Sequence, residues 1–219
     1  MHFKWWAGLL GCSLAIGACI KREPVVADAD SAGATAQNGG SPAETGPAPT
    51  GNWGKVPGVD VLEGGSIDAF TVQGQTAKVA TKVVDVTGQP FTKALRAEIK
   101  EKSQNNWDVQ LTATSKSEVR SGDVLLASFW MRTEWVPAES GEAETEINFE
   151  LNHEPWDKSL THAVRAGAEW KQMLVPFQAK RNFKAGEAQI VFRLGYPPQT
   201  IDFADVKIEN FKKDLTLAD

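Results

Sequence analysis

An all-β jelly-roll sandwich of two antiparallel sheets is the fold this sequence predicts. From Trp53 onward, apolar residues recur with period two in short runs, clusters of turn residues separate the runs, and no long helical period appears. Two packed sheets accommodate that pattern, because each strand then keeps one buried face and one wet face. The chain has 219 residues, 42% of them hydrophobic, with a net charge of −5. That suits one domain of common size, and the absence of clustered Lys and Arg argues against a nucleic-acid partner.

The N-terminus reads as a targeting segment. His2 and Lys4 make a short basic start, Trp5 to Gly17 an apolar run, and Ile16-Gly17-Ala18-Cys19 ends it in small residues before a cysteine. That tetrapeptide resembles the lipobox of bacterial lipoproteins, which implies a signal peptide over residues 1–18 and lipidation at Cys19. The run is shorter than the roughly 20 residues a membrane span needs. Leu9-Leu10-Gly11-Cys12 competes as a processing site, and an ordinary secretory peptide or an uncleaved anchor is the alternative. Processing at Cys19 would leave no free thiol, because Cys12, the one other cysteine, departs with the peptide. Disulfides, thiol catalysis and cysteine-based zinc sites are then excluded. Ile20 stands where an inner-membrane retention signal would place Asp, so the expected location is the bacterial envelope, lipid-anchored at the outer membrane.

Residues 19–52 are expected to form a tether ahead of a domain over 53–219. Glu23 to Asn52 contains no aromatic residue, Lys or Arg, and is dominated by Ala, Gly, Pro, Ser and Thr. Such a stretch buries too little apolar surface to offset the entropy of ordering it. A chain of this composition reaches on the order of 30 Å.

Ten strands are then predicted in order: Asp68 to Val72, Lys78 to Val86, Phe91 to Lys100, Trp107 to Ala113, Asp123 to Arg132, Thr145 to Leu151, Ser159 to Val164, Lys171 to Pro176, Ala188 to Leu194 and Ile201 to Phe211. Turn signals fall at Thr87-Gly88-Gln89-Pro90, Ser121-Gly122-Asp123, Glu139-Ser140-Gly141, Ala166-Gly167-Ala168 and Ala185-Gly186-Glu187. The last two strands, either side of Gly195-Tyr196-Pro197-Pro198, read as a β-hairpin. Leu125, Ala127, Phe129 and Met131 form the core row of the fifth strand, Ile147, Phe149 and Leu151 that of the sixth, and Trp107, Val109 and Leu111 that of the fourth.

Alternation leaves Asp108, Gln110, Trp130, Arg132, Glu146, Asn148, Glu150, Gln189 and Arg193 pointing outward. Amides, carboxylates and guanidinium groups bond sugar hydroxyls, and an aromatic ring takes the apolar face of a pyranose. The alternative is a solvated sheet surface with Trp130 covered by a loop. Trp135, Trp156 and Tyr196 fall in turn-like stretches, where an aromatic serves either as a sugar platform or as a lid on the core.

Residues 60–211 resemble a carbohydrate-binding module of the family 4/9 (CenC-like) type, with the galactose-binding-domain-like jelly roll. The resemblance lies in Asn106-Trp107-Asp108-Val109-Gln110-Leu111, in Gly122 to Arg132, in Glu169-Trp170-Lys171, in Phe192-Arg193-Leu194-Gly195 and in Ile201 to Ile208. It implies non-catalytic binding of a polysaccharide or oligosaccharide, such as a β-glucan or xylan, over one sheet or at the loop ends, and favours Gln110, Trp130 and Arg193. Such modules often accompany glycoside hydrolases. The resemblance also implies a structural Ca²⁺ tying the first and last strands, with Asp205 as one ligand. A plain turn or surface acid fits Asp205 equally, and Ala204 replaces the acid the family usually places before it.

Other chemistries find less support. His153 and His162 have no partners at zinc-ligand spacing. No nucleophile elbow, phosphate loop or His-Glu-Xaa-Xaa-His is present. Glu146 and Glu150 lie about 13 Å apart along a strand, at ~3.3 Å per residue. A glycosidase pair needs about 5 to 9.5 Å. A structural or protein-binding envelope module and a glycan-active hydrolase remain as rival readings.

Overall fold

The computed structural model describes residues 44–45, 52–62 and 67–217. The predicted signal peptide, Cys19 and most of the tether lie outside the described residues. The strands are β1 (Glu44–Thr45), β2 (Val59–Asp60), β3 (Thr71–Gly74), β4 (Val79–Asp85), β5 (Lys93–Ile99), β6 (Val109–Thr114), β7 (Val124–Trp135), β8 (Ala143–Leu151), β9 (Lys158–Ala166), β10 (Lys171–Gln178), β11 (Ala188–Arg193) and β12 (Gln199–Asn210). Short 3-10 turns occupy Ile67–Ala69 and Thr76–Lys78.

One sheet has the order β1-β10-β7-β12-β5-β4, with β2 also against β12, and the other the order β3-β6-β11-β8-β9. Pairing is antiparallel except where Glu44–Thr45, inside the expected tether, runs parallel to Lys171–Gln172. The two sheets close on one core, as predicted. From the larger sheet come Leu125, Ala127, Phe129 and Met131 on β7 and Ile201 and Phe203 on β12; from the smaller come Val109 and Leu111 on β6, Ile147 and Phe149 on β8, and Ile190 and Phe192 on β11. Phe192 knits the layers, its ring centroid 5.1 Å from Phe129 and 4.5 Å from Phe203. Offset and edge-on aromatic pairs of this kind each contribute about 1 kcal/mol beyond burial.

The expected hairpin of the last two strands does not form. β11 pairs with β6 and β8, whereas β12 pairs with β7, β5 and β2 in the other sheet. Gly195-Tyr196-Pro197-Pro198 carries the chain across the sandwich instead of turning it back, and its two prolines offer no N–H to a ladder. Both strands still bury alternate residues in the same core, so their periodicity resembles that of a hairpin. On β12 a register shift between Ala204 and Lys207 inserts Asp205, at φ 46°, and lets Ile201, Phe203, Val206 and Ile208 all face inward.

The two outer surfaces differ. Two apolar clusters form beyond the core of the larger sheet: Val124 and Leu126 lie under Trp53, Phe211 and Leu215, and Trp130 lies with Trp170, Ala204 and Phe91. The outer surface of the smaller sheet is an open groove.

Candidate functional site

Three cross-strand rows floor that groove. Gln73, Gln110, Arg193 and Glu146 stand side by side on β3, β6, β11 and β8. Thr71, Thr112, Val191, Asn148 and Thr161 form the middle row, and Thr114, Gln189, Glu150 and Lys158 the third. The space above is about 520 Å³, lined by Gln73, Gln110, Gln189, Glu150, Arg193 and Lys158, with Trp107 and Trp156. Trp107 precedes β6 beside the first row, and Trp156 precedes β9 beside the third, so the two rings mark diagonal corners of the sheet.

Trp107 was expected in the core row of its strand, and the structure corrects this: it is 52% exposed. The strand starts at Val109, and residues 105–108 form a turn ahead of it. Asp108 closes that turn, its carboxylate accepting from Asn105 N at 2.9 Å and Asn105 Nδ2 at 3.3 Å. Gln110 Nε2 donates to Trp107 O at 2.8 Å, and Gly195 N to Asn106 O at 3.0 Å. Gly74 and Gly195 flank the turn so closely that a Cβ would stand 2.1 Å from Asp108 O at the first and 2.3 Å from Asn105 O at the second. Trp107 is thus presented from a braced turn.

Arg193 backs the indole, its guanidinium carbon 5.4 Å from the ring centroid. Its Nη1 lies 2.9 Å from Glu146 Oε1 and donates to Asn106 Oδ1 at 3.2 Å. Asn106 Nδ2 in turn donates to Tyr196 Oη at 3.3 Å, joining Tyr196 to the rim. At the other corner Trp156, 44% exposed, has a left-handed backbone at φ 58°. Lys158 Nζ donates to its carbonyl at 3.1 Å and stands 3.0 Å from Glu150 Oε2. Gln189 Nε2 donates to Glu150 Oε1 at 3.3 Å.

Of the residues singled out in the sequence, Gln110, Gln189, Arg193 and Trp156 therefore line one groove, and Tyr196 adjoins it. Asn148 lies on the same sheet face but is fully buried, its amide donating to Glu146 Oε1 at 3.1 Å and accepting from Thr161 Oγ1 at 2.9 Å. Trp130 and Arg132 do not join them. Trp130, 6% exposed, packs on the opposite sheet against Phe91, with centroids 5.8 Å apart. Arg132 is held there by Asp202, at 2.9 Å, and lies 5.0 Å over Trp170. Alternation assigned both residues correctly to an outer face, but it does not say which sheet owns the strand.

Asp202 is completely buried between Arg96 and Arg132, and Arg96 bonds it at 2.7 and 2.9 Å. Donating to the Asp202 carboxylate raises the Arg96 pKa above the usual guanidinium value, against the opposing effect of burial. Asp205, which the resemblance implies as a calcium ligand, is paired with a lysine. Both its carboxylate oxygens face Lys207 Nζ, at 2.8 and 3.0 Å, and no group of three or more His, Cys, Asp or Glu able to hold a metal occurs among the described residues. An ammonium beside the acid opposes a second cation.

Glu150, one of the outward-pointing residues, joins the lining, and Trp107, Gln73 and Lys158 complete it without having been selected. The signal for Trp107 was the run Asn105-Asn106-Trp107-Asp108, whose Asn and Asp content marks a turn rather than a strand.

No protein-family model matches the chain, and no curated protein does. Solved structures do. An arabinose-bound α-L-arabinofuranosidase aligns over 72% of this chain and 27% of its own, with 13% identity and a TM-score of 0.54. A family 4 carbohydrate-binding module aligns over 64% and 86%, with 18% identity and a TM-score of 0.49. The N-terminal cellulose-binding domain of Cellulomonas fimi β-1,4-glucanase C aligns over 66% and 90%, with 16% identity and a TM-score of 0.49. Several of the structural neighbours are carbohydrate-binding modules. At these identities the likeness is one of fold.

Proposed function

We propose that this protein binds a polysaccharide chain, without cleaving it, in the groove across the smaller sheet. The observation that carries this reading is the pair of exposed indoles, Trp107 and Trp156, at the two corners of a cleft floored by Gln73, Gln110 and Gln189. Rings stack on pyranose faces and amides bond the hydroxyls between them. The Glu146–Arg193 and Glu150–Lys158 pairs leave the floor without a free charge of either sign, which favours a neutral glycan. The same pairing opposes hydrolysis, since each glutamate is engaged by a cation and the two lie about 13 Å apart, beyond the reach of a glycosidase pair. The Ile16-Gly17-Ala18-Cys19 motif supports a lipid anchor that would hold this groove at the bacterial outer membrane.

Affinity electrophoresis of the purified protein in gels containing β-glucan, xylan or mannan tests the binding. Retardation by at least one polymer is expected, with loss of about 2 kcal/mol, roughly thirtyfold, for W107A or W156A. Migration unchanged across the panel would point instead to a structural or protein-binding envelope module. Release of reducing ends would point to a hydrolase.

A further inference from the structure

The two cations facing the groove share one arrangement. Each is neutralised by a glutamate of β8, and each also touches one of the exposed tryptophans. Arg193 presents its guanidinium to the Trp107 ring while Nη1 is committed to Glu146 and Asn106. Its Nε is buried with no hydrogen-bond partner, sealed from any ligand in the groove. Lys158 divides its ammonium between the Trp156 carbonyl and Glu150, the latter contact an ion pair at 3.0 Å without hydrogen-bond geometry. The Trp156 backbone needs such a hold, because a left-handed φ is unfavourable for a bulky residue. Glu146 and Glu150 share the outer face of β8, so one strand sets the placement of both rings.

We infer that Arg193 and Lys158 are positioning residues that act on a bound glycan through Trp107 and Trp156, with β8 as the common ruler, rather than by bonding sugar hydroxyls themselves. The inference rests on the groove being the glycan site, but its first test does not need a glycan. In protein labelled with fluorotryptophan, R193M should broaden or shift the Trp107 signal and raise its quenching by acrylamide, and K158M should do the same at Trp156. E146Q, which keeps the size of the side chain and removes the counter-ion, should move Trp107 in the same direction. R193K, which keeps the cation, should restore most of the signal. An unchanged Trp107 signal in R193M and E146Q overturns the inference.

The second test is a double-mutant cycle on glycan affinity. R193M should weaken binding about threefold when Trp107 is present. It should cost nothing further in W107A. Equal losses in both backgrounds would show Arg193 touching the sugar directly and overturn the inference. If no glycan is bound by the unmodified protein, the groove reading falls, while the fluorine signals still decide whether the cations hold the rings.

Discussion

Trp107 and Trp130 have the same side chain and opposite placements. Trp130 is enclosed by Phe91, Trp170 and Ala204 on the larger sheet, so W130A should remove about 3 kcal/mol of stability, read as a lower midpoint in urea. Its glycan affinity, measured where the protein remains folded, should be unchanged. W107A should do the reverse, weakening binding with little effect on the midpoint. Asp202 gives a third contrast. Fully buried between two guanidinium groups, it cannot be removed without leaving both with the partly exposed Glu134 as their remaining acidic partner, and D202A should cost about 3 kcal/mol. Arg96 does not make that network sensitive to pH. Its pKa is raised in the folded state, so its contribution is fully present below the unfolded guanidinium value and fades only as pH rises through the folded one. Stability should therefore show no step from Arg96 across the neutral range.

The turn over residues 105–108 is the element on which the site depends most. Gly195 meets its backbone so closely that G195A must push Asn105 and Asn106 away, at a cost of about 2 kcal/mol, and should carry Trp107 with them. Thermal unfolding and glycan affinity should both suffer, in contrast to W107A. Gly74 presses the same turn from β3 with φ at 85°, so G74A adds backbone strain to the clash. The extent of most strands was legible in the sequence because period-two burial needs only local counting: β6, β7 and β8 each bury the apolar row that alternation assigned to them beyond the turn. What local counting misses is which sheet receives a strand. β11 and β12 alternate as hairpin partners would, yet they sit in different layers, and Trp130 and Arg132 went to the wrong surface for the same reason. Trp107 was misplaced because counting by twos was carried one turn too far, past Asn105-Asn106 and Asp108.

At the scale of the whole molecule, the two sheets share one core and divide their outer surfaces. Trp53, Phe211 and Leu215 cover one part of the larger sheet, and Phe91 and Trp170 another, which leaves the smaller sheet to face a ligand. Because the groove charges are already paired, affinity should change less than about twofold between low and high salt, as screening acts mainly on exposed, unpaired charge. A saturating oligosaccharide at a hundred times its Kd should add about 2.7 kcal/mol to stability, visible as a rise in Tm. Titration of the protein with an oligosaccharide of the bound polymer, followed by NMR of the indole N–H signals, tests the central claim most directly. The signals of Trp107 and Trp156 should move together with one affinity, while those of Trp130, Trp135 and Trp170 stay in place. Movement confined to Trp135, or no movement at Trp107 and Trp156 while a glycan binds, would contradict the assignment of the groove.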